Sequence, residues 1–264
     1  MDAIINKIVG IALTYDDAFI FGEYVREFIL RGTEPTNMKE GITIRIKTSK
    51  DLNHITHLLK VIFQNDCVVL KNIQDDYNNY LGEMLYIVRM LIHSIPVSVL
   101  LICNERYNYR NVLPNWSHLT CDAFCLDNKS IHLCCDVPMN EHQSNFILHC
   151  LEHIRNKEFQ HIPLTNHFEN NPVLYKMESI HTLEYIKTLL NNGWTMKPNA
   201  GAFCIHTPNE VMECSICLQN ITSDNQMLTT ICSHKFHLQC IDLFLKKSES
   251  KVCCPCCRLE KFII

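Results

Sequence analysis

The feature that most constrains this chain is a run of regularly spaced cysteines and histidines near its C-terminal end. The spacing is Cys-x2-Cys-x14-Cys-x-His-x2-His-x2-Cys-x13-Cys-x2-Cys. Its members are Cys214, Cys217, Cys232, His234, His237, Cys240, Cys254 and Cys257. Both sulfurs of a Cys-x2-Cys turn, a zinc knuckle, can face one metal ion about 2.3 Å away. Since so short a segment buries too little apolar surface to fold alone, metal binding has to supply the folding free energy, on the order of 10 kcal/mol per site.

The number of ligands indicates what kind of metal site this is. Eight thiol and imidazole groups fill two tetrahedral zinc sites and leave no coordination position open. Such sites are structural, whereas a catalytic zinc keeps one position for water or substrate. Unligated core cysteines are the alternative, but buried thiols have no reason to fall at knuckle spacing. The spacing alone leaves open whether the ligand pairs bind sequentially or interleave.

The segment CCPCC contains two overlapping knuckles, Cys253/Cys256 and Cys254/Cys257. In a knuckle the first sulfur accepts hydrogen bonds from the backbone N–H groups two and three residues later. Proline has no N–H, so a knuckle that begins at Cys253 would place Pro255 where a donor is needed. The sequence therefore predicts Cys254 and Cys257 as the ligands, and Cys253 and Cys256 as spare thiols.

The residues between the ligands add a family resemblance. From Cys232 to Arg258 the chain reads CSHKFHLQCIDLFLKKSESKVCCPCCR. This run resembles the RING finger pattern Cys-x-His-x-Phe-His-x2-Cys-Ile-x2-Trp-Leu…Cys-Pro-x-Cys-Arg. RING fingers interleave their ligands in a cross-brace. The resemblance thus implies one structural Zn2+ held by Cys214, Cys217, His237 and Cys240, and a second held by Cys232, His234, Cys254 and Cys257.

The same resemblance implies a function as a RING-type ubiquitin ligase. Such proteins form no covalent intermediate, so no catalytic residue is expected. They bind a ubiquitin-conjugating enzyme and bias its ubiquitin thioester towards attack by a substrate lysine. The positions that match this surface are Ile216, Phe244, Pro255 and Arg258. A non-enzymatic zinc adaptor is the alternative, because Ile216 and Phe244 can simply pack the small core while Arg258 stays solvated.

The rest of the chain predicts a mixed domain, so the overall fold class is α+β with a small C-terminal zinc module. Helices are predicted at Asp17–Leu30, Leu52–Phe63 and 173–192, and strands at Gly41–Lys47, Cys67–Ile73, Leu85–Ile92, Pro96–Cys103 and Ser130–Cys135. Pro198, Gly201 and Pro208 punctuate a linker at Lys197–Asn209. We therefore expect a domain over 1–200 that recruits the substrate, and a RING finger over 210–264.

Two segments of the first domain resemble the nucleotidyltransferase head of poly(A) polymerases and transfer-RNA nucleotidyltransferases. They are AFIFGEYVREFILRG at 18–32 and SHLTCDAFCLDNKSIHL at 117–133. That chemistry needs carboxylates that hold two divalent metals. Here Thr43 and Arg45 stand at the first two expected positions and Ser98 or Val99 at the third, and Glu23 replaces a small residue where phosphates would pass. The resemblance therefore implies an inactive head used as a binding platform, as in RING proteins of large DNA viruses of the eukaryotic cytoplasm.

Charge and sequence patterns limit the partners and the cellular compartment that this chain can have. A net charge of −4 gives no electrostatic case for binding nucleic acid or an acidic membrane surface. The N-terminus lacks a secretory signal, and the most apolar stretch, Tyr86–Cys103, contains Arg89 and Pro96 and indicates two strands instead of a membrane span. We expect a reducing intracellular compartment, cytoplasmic or nuclear. A further group of metal-binding residue types, and so a possible third zinc site, is Cys121, Cys125, Cys134, Cys135, His118 and His132. Because these residues alternate within strand-like segments, burial in the core is favoured over metal binding.

Overall fold

The protein is described by a computed structural model that divides into two compact units. Unit 1 comprises Met1–Ser117 and Asp122–Val137, and unit 2 comprises His118–Cys121 and Pro138–Ile264. Residues 138–200 therefore share a unit with the zinc-ligand segment, whereas the sequence placed them in the N-terminal domain. The described residues are 2–16, 18–35, 38–46, 48–75, 84–103, 119–128, 130–135, 137, 141–162, 172–199, 202–248, 252–260 and 262–263.

Unit 1 is a mixed sheet with three helices among its described residues. The elements are α1 (Asp2–Ala12), β1 (Phe19–Phe21), α2 (Glu23–Arg31), β2 (Ile42–Ile46), α3 (Ser49–Phe63), β3 (Cys67–Asp75), β4 (Met84–Ile92), β5 (Ile95–Cys103), β6 (Phe124–Leu126) and β7 (Ile131–Leu133). The strand order is β3-β4-β5-β2-β1-β6-β7. Only the β2–β5 pairing of this sheet is parallel. The central strands supply much of the core through apolar residues that alternate along them, such as Ile42, Ile44, Ile46, Val97 and Val99.

Most predicted elements of unit 1 are confirmed within a few residues, but the helix predicted at Asp17–Leu30 is wrong. Phe19–Phe21 forms β1, and the helix begins only at Glu23. Gly22 lies between them with φ 70°, a conformation in which glycine pays no steric cost. The apolar face of Phe19–Phe21 fits a helix as well as a strand, and pairing with β2 decides for the strand.

An ion network lies buried beside α2. The Arg26 guanidinium donates to both Glu40 and Asp122, and all three side chains are largely withdrawn from solvent. Glu23, one turn earlier, accepts hydrogen bonds from the backbone N–H groups of Lys39 (2.9 Å), Glu40 (2.6 Å) and Gly41 (3.1 Å). Helix α2 thus fixes the loop that leads into β2 through charged groups.

The cysteines considered for a third zinc site mostly belong to the core. Cys121, Cys125 and Cys134 are buried, and the last two pack with Phe21. Burial raises the pKa of the Cys134 thiol well above its ordinary value. His118 lies outside the described residues. Cys135 and His132 are at least partly exposed, and no metal-binding group among the described residues includes them.

Unit 2 contains three described helices and several short strands. They are α4 (Gln143–Asn156), β8 (Glu158–Phe159), α5 (Pro172–Asn191), β9 (Thr195–Met196), β10 (Cys204–His206), β11 (Met212–Glu213), β12 (Asn220–Ile221), β13 (Met227–Thr229), β14 (Lys235–His237) and α6 (Leu238–Lys247). The predicted helix at 173–192 is confirmed as α5, and Gly193 follows it with φ 84°. Across both units, the described helices are all too short or too polar to cross a bilayer.

Candidate metal centre

The structure gathers the eight predicted ligands into two groups. The ligand atoms within each group lie within 4.8 Å of one another. One group is Cys214, Cys217, His237 and Cys240, and the other is Cys232, His234, Cys254 and Cys257. Each group joins ligand pairs that are separated in sequence by a pair from the other group. This is the interleaved arrangement that the RING resemblance implied, not the sequential one.

The spacing of the donor atoms fits a tetrahedral zinc ion. Zinc bonds of about 2.3 Å to sulfur and 2.0–2.1 Å to nitrogen place the two ligand atoms about 3.6 Å apart. His237 Nδ1 lies 3.3 Å from Cys217 Sγ and 3.8 Å from Cys240 Sγ. His234 Nδ1 lies 3.3 Å from Cys232 Sγ and 3.6 Å from Cys254 Sγ. Both groups therefore have the chemistry and the size for Zn2+, and the chain's cofactors are two structural zinc ions.

The two knuckles at the ends of the segment have matching backbone geometry. The Leu218 N–H donates to the Cys214 carbonyl at 2.8 Å, and the Arg258 N–H donates to the Cys254 carbonyl at 2.9 Å. Leu218 and Arg258 share a left-handed conformation, with φ of 59° and 61°. A return bond closes each turn, from Cys214 N–H to the Gln219 carbonyl and from Cys254 N–H to the Leu259 carbonyl. The chain thus builds the same turn twice, once for each ion.

The hydrogen bonds to sulfur follow the proline argument for the second knuckle. Cys214 accepts backbone N–H groups from Ile216 and Cys217, two and three residues on. Cys254 accepts them from Cys256 and Cys257, at the same offsets. Pro255 lies at the one intervening position, where no donor is used. Cys253 instead forms a backbone bridge with Glu260.

Without a metal ion, the thiols of the two ligand groups have widely different pKa values. Burial raises the pKa of Cys214, but backbone N–H groups outweigh burial and bring it to about 7. Hydrogen bonds from His234 and Thr230 likewise outweigh burial at Cys232 and bring its pKa to about 6. Burial and the crowding of neighbouring thiols raise the pKa of both Cys240 and Cys254 to about 12. Since neighbouring thiolates repel one another, the divalent charge of zinc favours the ionised form of all the thiols that ligate it.

Two outer contacts fix ligand orientation, and sequence reasoning missed both. His237 Nε2 lies 3.2 Å from the Asn220 carbonyl, so its N–H can donate there while Nδ1 faces the ion. The buried Thr230 hydroxyl lies 3.2 Å from Cys232 Sγ and accepts a hydrogen bond from the backbone N–H of His234 at 3.0 Å. Thr230 therefore shapes the loop that presents two ligands of one group. A threonine two residues before a Cys-x-His pair was the only signal available.

The residues predicted to contact a conjugating enzyme lie on the surface of this centre. Ile216 and Pro255 are half-buried within the two knuckles, and Phe244 is half-buried on α6. Arg258 is exposed and follows the last ligand. Sequence reasoning passed over three exposed leucines of the same segment, which are Leu218 (71% exposed), Leu243 (52%) and Leu259 (45%). Leu218 directly follows the ligand Cys217, and this position was the one sequence signal that could have singled it out.

Comparison with known proteins defines the class of this segment. Residues 212–258 match the Ring finger domain family. The chain is a mixed α/β protein with a C-terminal RING finger of the RING-H2 type, which has histidines at both middle ligand positions.

Particular relatives share this segment. "E3 ubiquitin-protein ligase AIRP1" of Arabidopsis thaliana is 46% identical over 48 residues, which is 18% of this chain and 29% of the relative. "E3 ubiquitin-protein ligase RNF181 homolog" of Drosophila melanogaster is 41% identical over 49 residues, 19% of this chain and 31% of the relative. "Probable E3 ubiquitin-protein ligase RHY1A" of Arabidopsis thaliana is 36% identical over 50 residues, 19% of each chain. The chain thus spans less than a third of the length of these relatives.

Proposed function

We propose that this protein is a RING-type ubiquitin ligase that binds a ubiquitin-conjugating enzyme and promotes ubiquitin transfer to a lysine of a recruited protein. The observation that carries the proposal is the pair of interleaved ligand groups, in a segment whose relatives bear the name of E3 ubiquitin-protein ligases. Four protein ligands close each site, so zinc shapes the surface and does not activate a water. The activity then has to come from side chains presented by that surface.

The proposed roles follow from where the zinc centre places each side chain. Ile216, Pro255 and Phe244 supply apolar area for the conjugating enzyme, and the exposed leucines extend that area. Arg258 would bridge the conjugating enzyme and ubiquitin, because its planar fork of donors can satisfy carbonyls on two proteins at once. Its backbone is anchored by the 2.9 Å hydrogen bond to Cys254. Because this backbone is already ordered, it adds no ordering cost of its own when the side chain binds.

The test is auto-ubiquitination by the full chain with a panel of conjugating enzymes. We expect zinc-dependent chain formation with at least one of them. Ile216→Ala should retain both zinc ions and bind that enzyme about tenfold more weakly, the cost of removing one buried aliphatic contact. If the wild-type protein holds two zinc ions and is inactive with every enzyme, the alternative function of a non-enzymatic zinc adaptor replaces the proposal.

We further propose that unit 1 recruits the substrate and is a nucleotidyltransferase-like platform without catalysis. The support is positional. The segment at 18–32 forms a strand, a glycine turn and a helix, and β2 lies parallel to β5 with Thr43 opposite Ser98. Arg45 on β2 is buried, and a buried guanidinium repels the divalent metals that this chemistry needs.

The two acidic residues of the segment at 117–133 already have partners within the protein. Asp122 pairs with Arg26, and Asp127 accepts the Ser130 N–H and lies 2.8 Å from His132 Nε2. We therefore expect no nucleotidyl transfer from any nucleoside triphosphate in magnesium or manganese. Incorporation of labelled nucleotide that is lost in Asp122→Asn or Asp127→Asn would overturn this part of the proposal.

The zinc-bound thiols also bear on the compartment of the protein. Zinc-bound thiolates persist where thiols stay reduced, so we propose an intracellular protein of the cytoplasm or nucleus. Its proposed partners are a ubiquitin-conjugating enzyme, ubiquitin and a protein substrate. The relatives are plant and insect proteins, and they give no support to a viral source.

A further inference from the structure

Helix α5 contacts the RING helix α6 within unit 2, and the polar contacts set their direction. Lys187, near the end of α5, pairs with Asp242 in the first half of α6 at 2.7 Å. Lys176, near the start of α5, donates to the carbonyl of Ser248, the residue that ends α6. The two helices therefore run antiparallel, and α5 is bonded to the middle of α6 at Asp242 and to its C-terminal end at Ser248.

Further contacts reinforce this pairing. Lys246 of α6 lies 3.0 Å from Glu184 of α5 and 3.2 Å from Asp242. The chain end joins in through the Ile263 N–H, which donates to the Tyr175 hydroxyl at 2.9 Å. Apolar side chains of both helices are fully withdrawn from solvent, among them Leu183, Ile186, Leu189, Ile241 and Leu245. The RING helix α6 therefore packs against α5, a part of unit 2 that lies outside the segment matching the RING family.

Phe244, the proposed contact to the conjugating enzyme, lies between these ties. Its carbonyl accepts both the N–H (2.9 Å) and the hydroxyl (2.7 Å) of Ser248. The Ser248 carbonyl in turn accepts from Lys176, so a continuous chain of hydrogen bonds joins α5 to Phe244. On the other side, Asp242 is two residues away and is held by Lys187. A helix of ten residues is marginal by itself, so its orientation depends on such external contacts.

We propose that α5 is a positioning element of the ligase: Lys187 and Lys176 hold α6 so that Phe244 is presented to the conjugating enzyme. This inference rests on the proposed function. Both lysines lie outside the RING match at 212–258, and neither holds zinc. They would act on the affinity for the conjugating enzyme and not on the transfer step, for which Arg258 is the proposed residue.

The experiment compares full-length variants at a temperature well below unfolding. The double variant Lys176→Ala/Lys187→Ala should keep two zinc ions and raise the KM for the ubiquitin-loaded conjugating enzyme about threefold to tenfold, with kcat unchanged. Lys187→Arg should stay close to wild type because it retains the charge. Lys197→Ala is the matched control, since it removes a lysine ion pair, to Glu158 at 2.8 Å, elsewhere in the same unit.

Hydrogen exchange of the α6 amides separates this inference from the proposed function. We expect faster exchange at Ile241–Leu245 in the double variant and no change in the Lys197→Ala control. Unchanged exchange in the double variant overturns the positioning role whether or not the protein is a ligase. Faster exchange with an unchanged KM also overturns it. A wild-type protein that engages no conjugating enzyme overturns the proposed function and this inference together.

Discussion

Unit 1 and the RING segment are each stabilised by a different kind of interaction. Unit 1 buries long apolar strands in one sheet, and its described residues include a buried charged triad of Arg26, Glu40 and Asp122. In the RING segment the described strands have only two or three residues, and eight ligands converge on two points. One region is stabilised by apolar area, which tolerates substitution by degrees, and the other by metal bonds, which are made or lost as a set.

The largest expected effect is the loss of a zinc ligand. Cys254→Ala should release at least one zinc ion and unfold the RING segment, since each site contributes about 10 kcal/mol or more. Metal analysis and hydrogen exchange resolved by residue would measure this. The sheet amides of unit 1 should stay protected in the variant. Loss of protection in β2 and β5 would show that the two regions fold as one.

The charged triad of unit 1 gives the next largest effect. Arg26→Ala leaves two buried carboxylates without their cation and should destabilise unit 1 by about 3–5 kcal/mol. Arg31→Ala removes an exposed pair with Glu27 from the same helix and should cost under about 0.5 kcal/mol. Chemical denaturation of both variants measures the contrast. Equal costs would show that the triad contributes no more than a surface pair, and zinc content should be two in both.

The spare thiols give the smallest effect and sharpen the choice of ligands. Cys253→Ser and Cys256→Ser should each keep both zinc ions and change stability by less than about 0.5 kcal/mol, because neither sulfur belongs to a ligand group. Zinc content and thermal unfolding should be measured for both variants and compared with those of Cys254→Ser. Loss of zinc from Cys253→Ser, with retention in Cys254→Ser, would reverse the argument from Pro255.

The two regions also differed in how much the sequence predicted. The zinc ligands were predictable because knuckle spacing is a local pattern, and Pro255 selected the register from one missing N–H. The long strands of unit 1 were predictable from their alternation. Short elements were not: β1 was taken for part of a helix, since three apolar residues fit either structure.

What could not be predicted depends on contacts between distant residues. Helix α4 was missed because its apolar positions are interrupted by His149, Cys150 and His153, two of which are buried there. The pairing of Lys187 with Asp242 joins two helices that are far apart in sequence, and no local pattern indicates it. Burial of Arg26 was hidden for the same reason, since its partners come from two other segments. The predicted boundary near 200 followed the punctuated linker, whereas the contacts of α5 place that helix with the RING.

The most direct test of the central claim is single-turnover discharge of a ubiquitin-loaded conjugating enzyme onto free lysine, with zinc measured in the same samples. With two zinc ions per chain, the wild-type protein should accelerate discharge by at least one conjugating enzyme. Arg258→Ala should keep both ions and slow discharge about tenfold or more, the loss expected for charge-assisted hydrogen bonds. An Arg258→Ala protein as fast as wild type, or a fully zinc-loaded wild-type protein that accelerates no discharge, would contradict the claim that this zinc-built surface is a ligase.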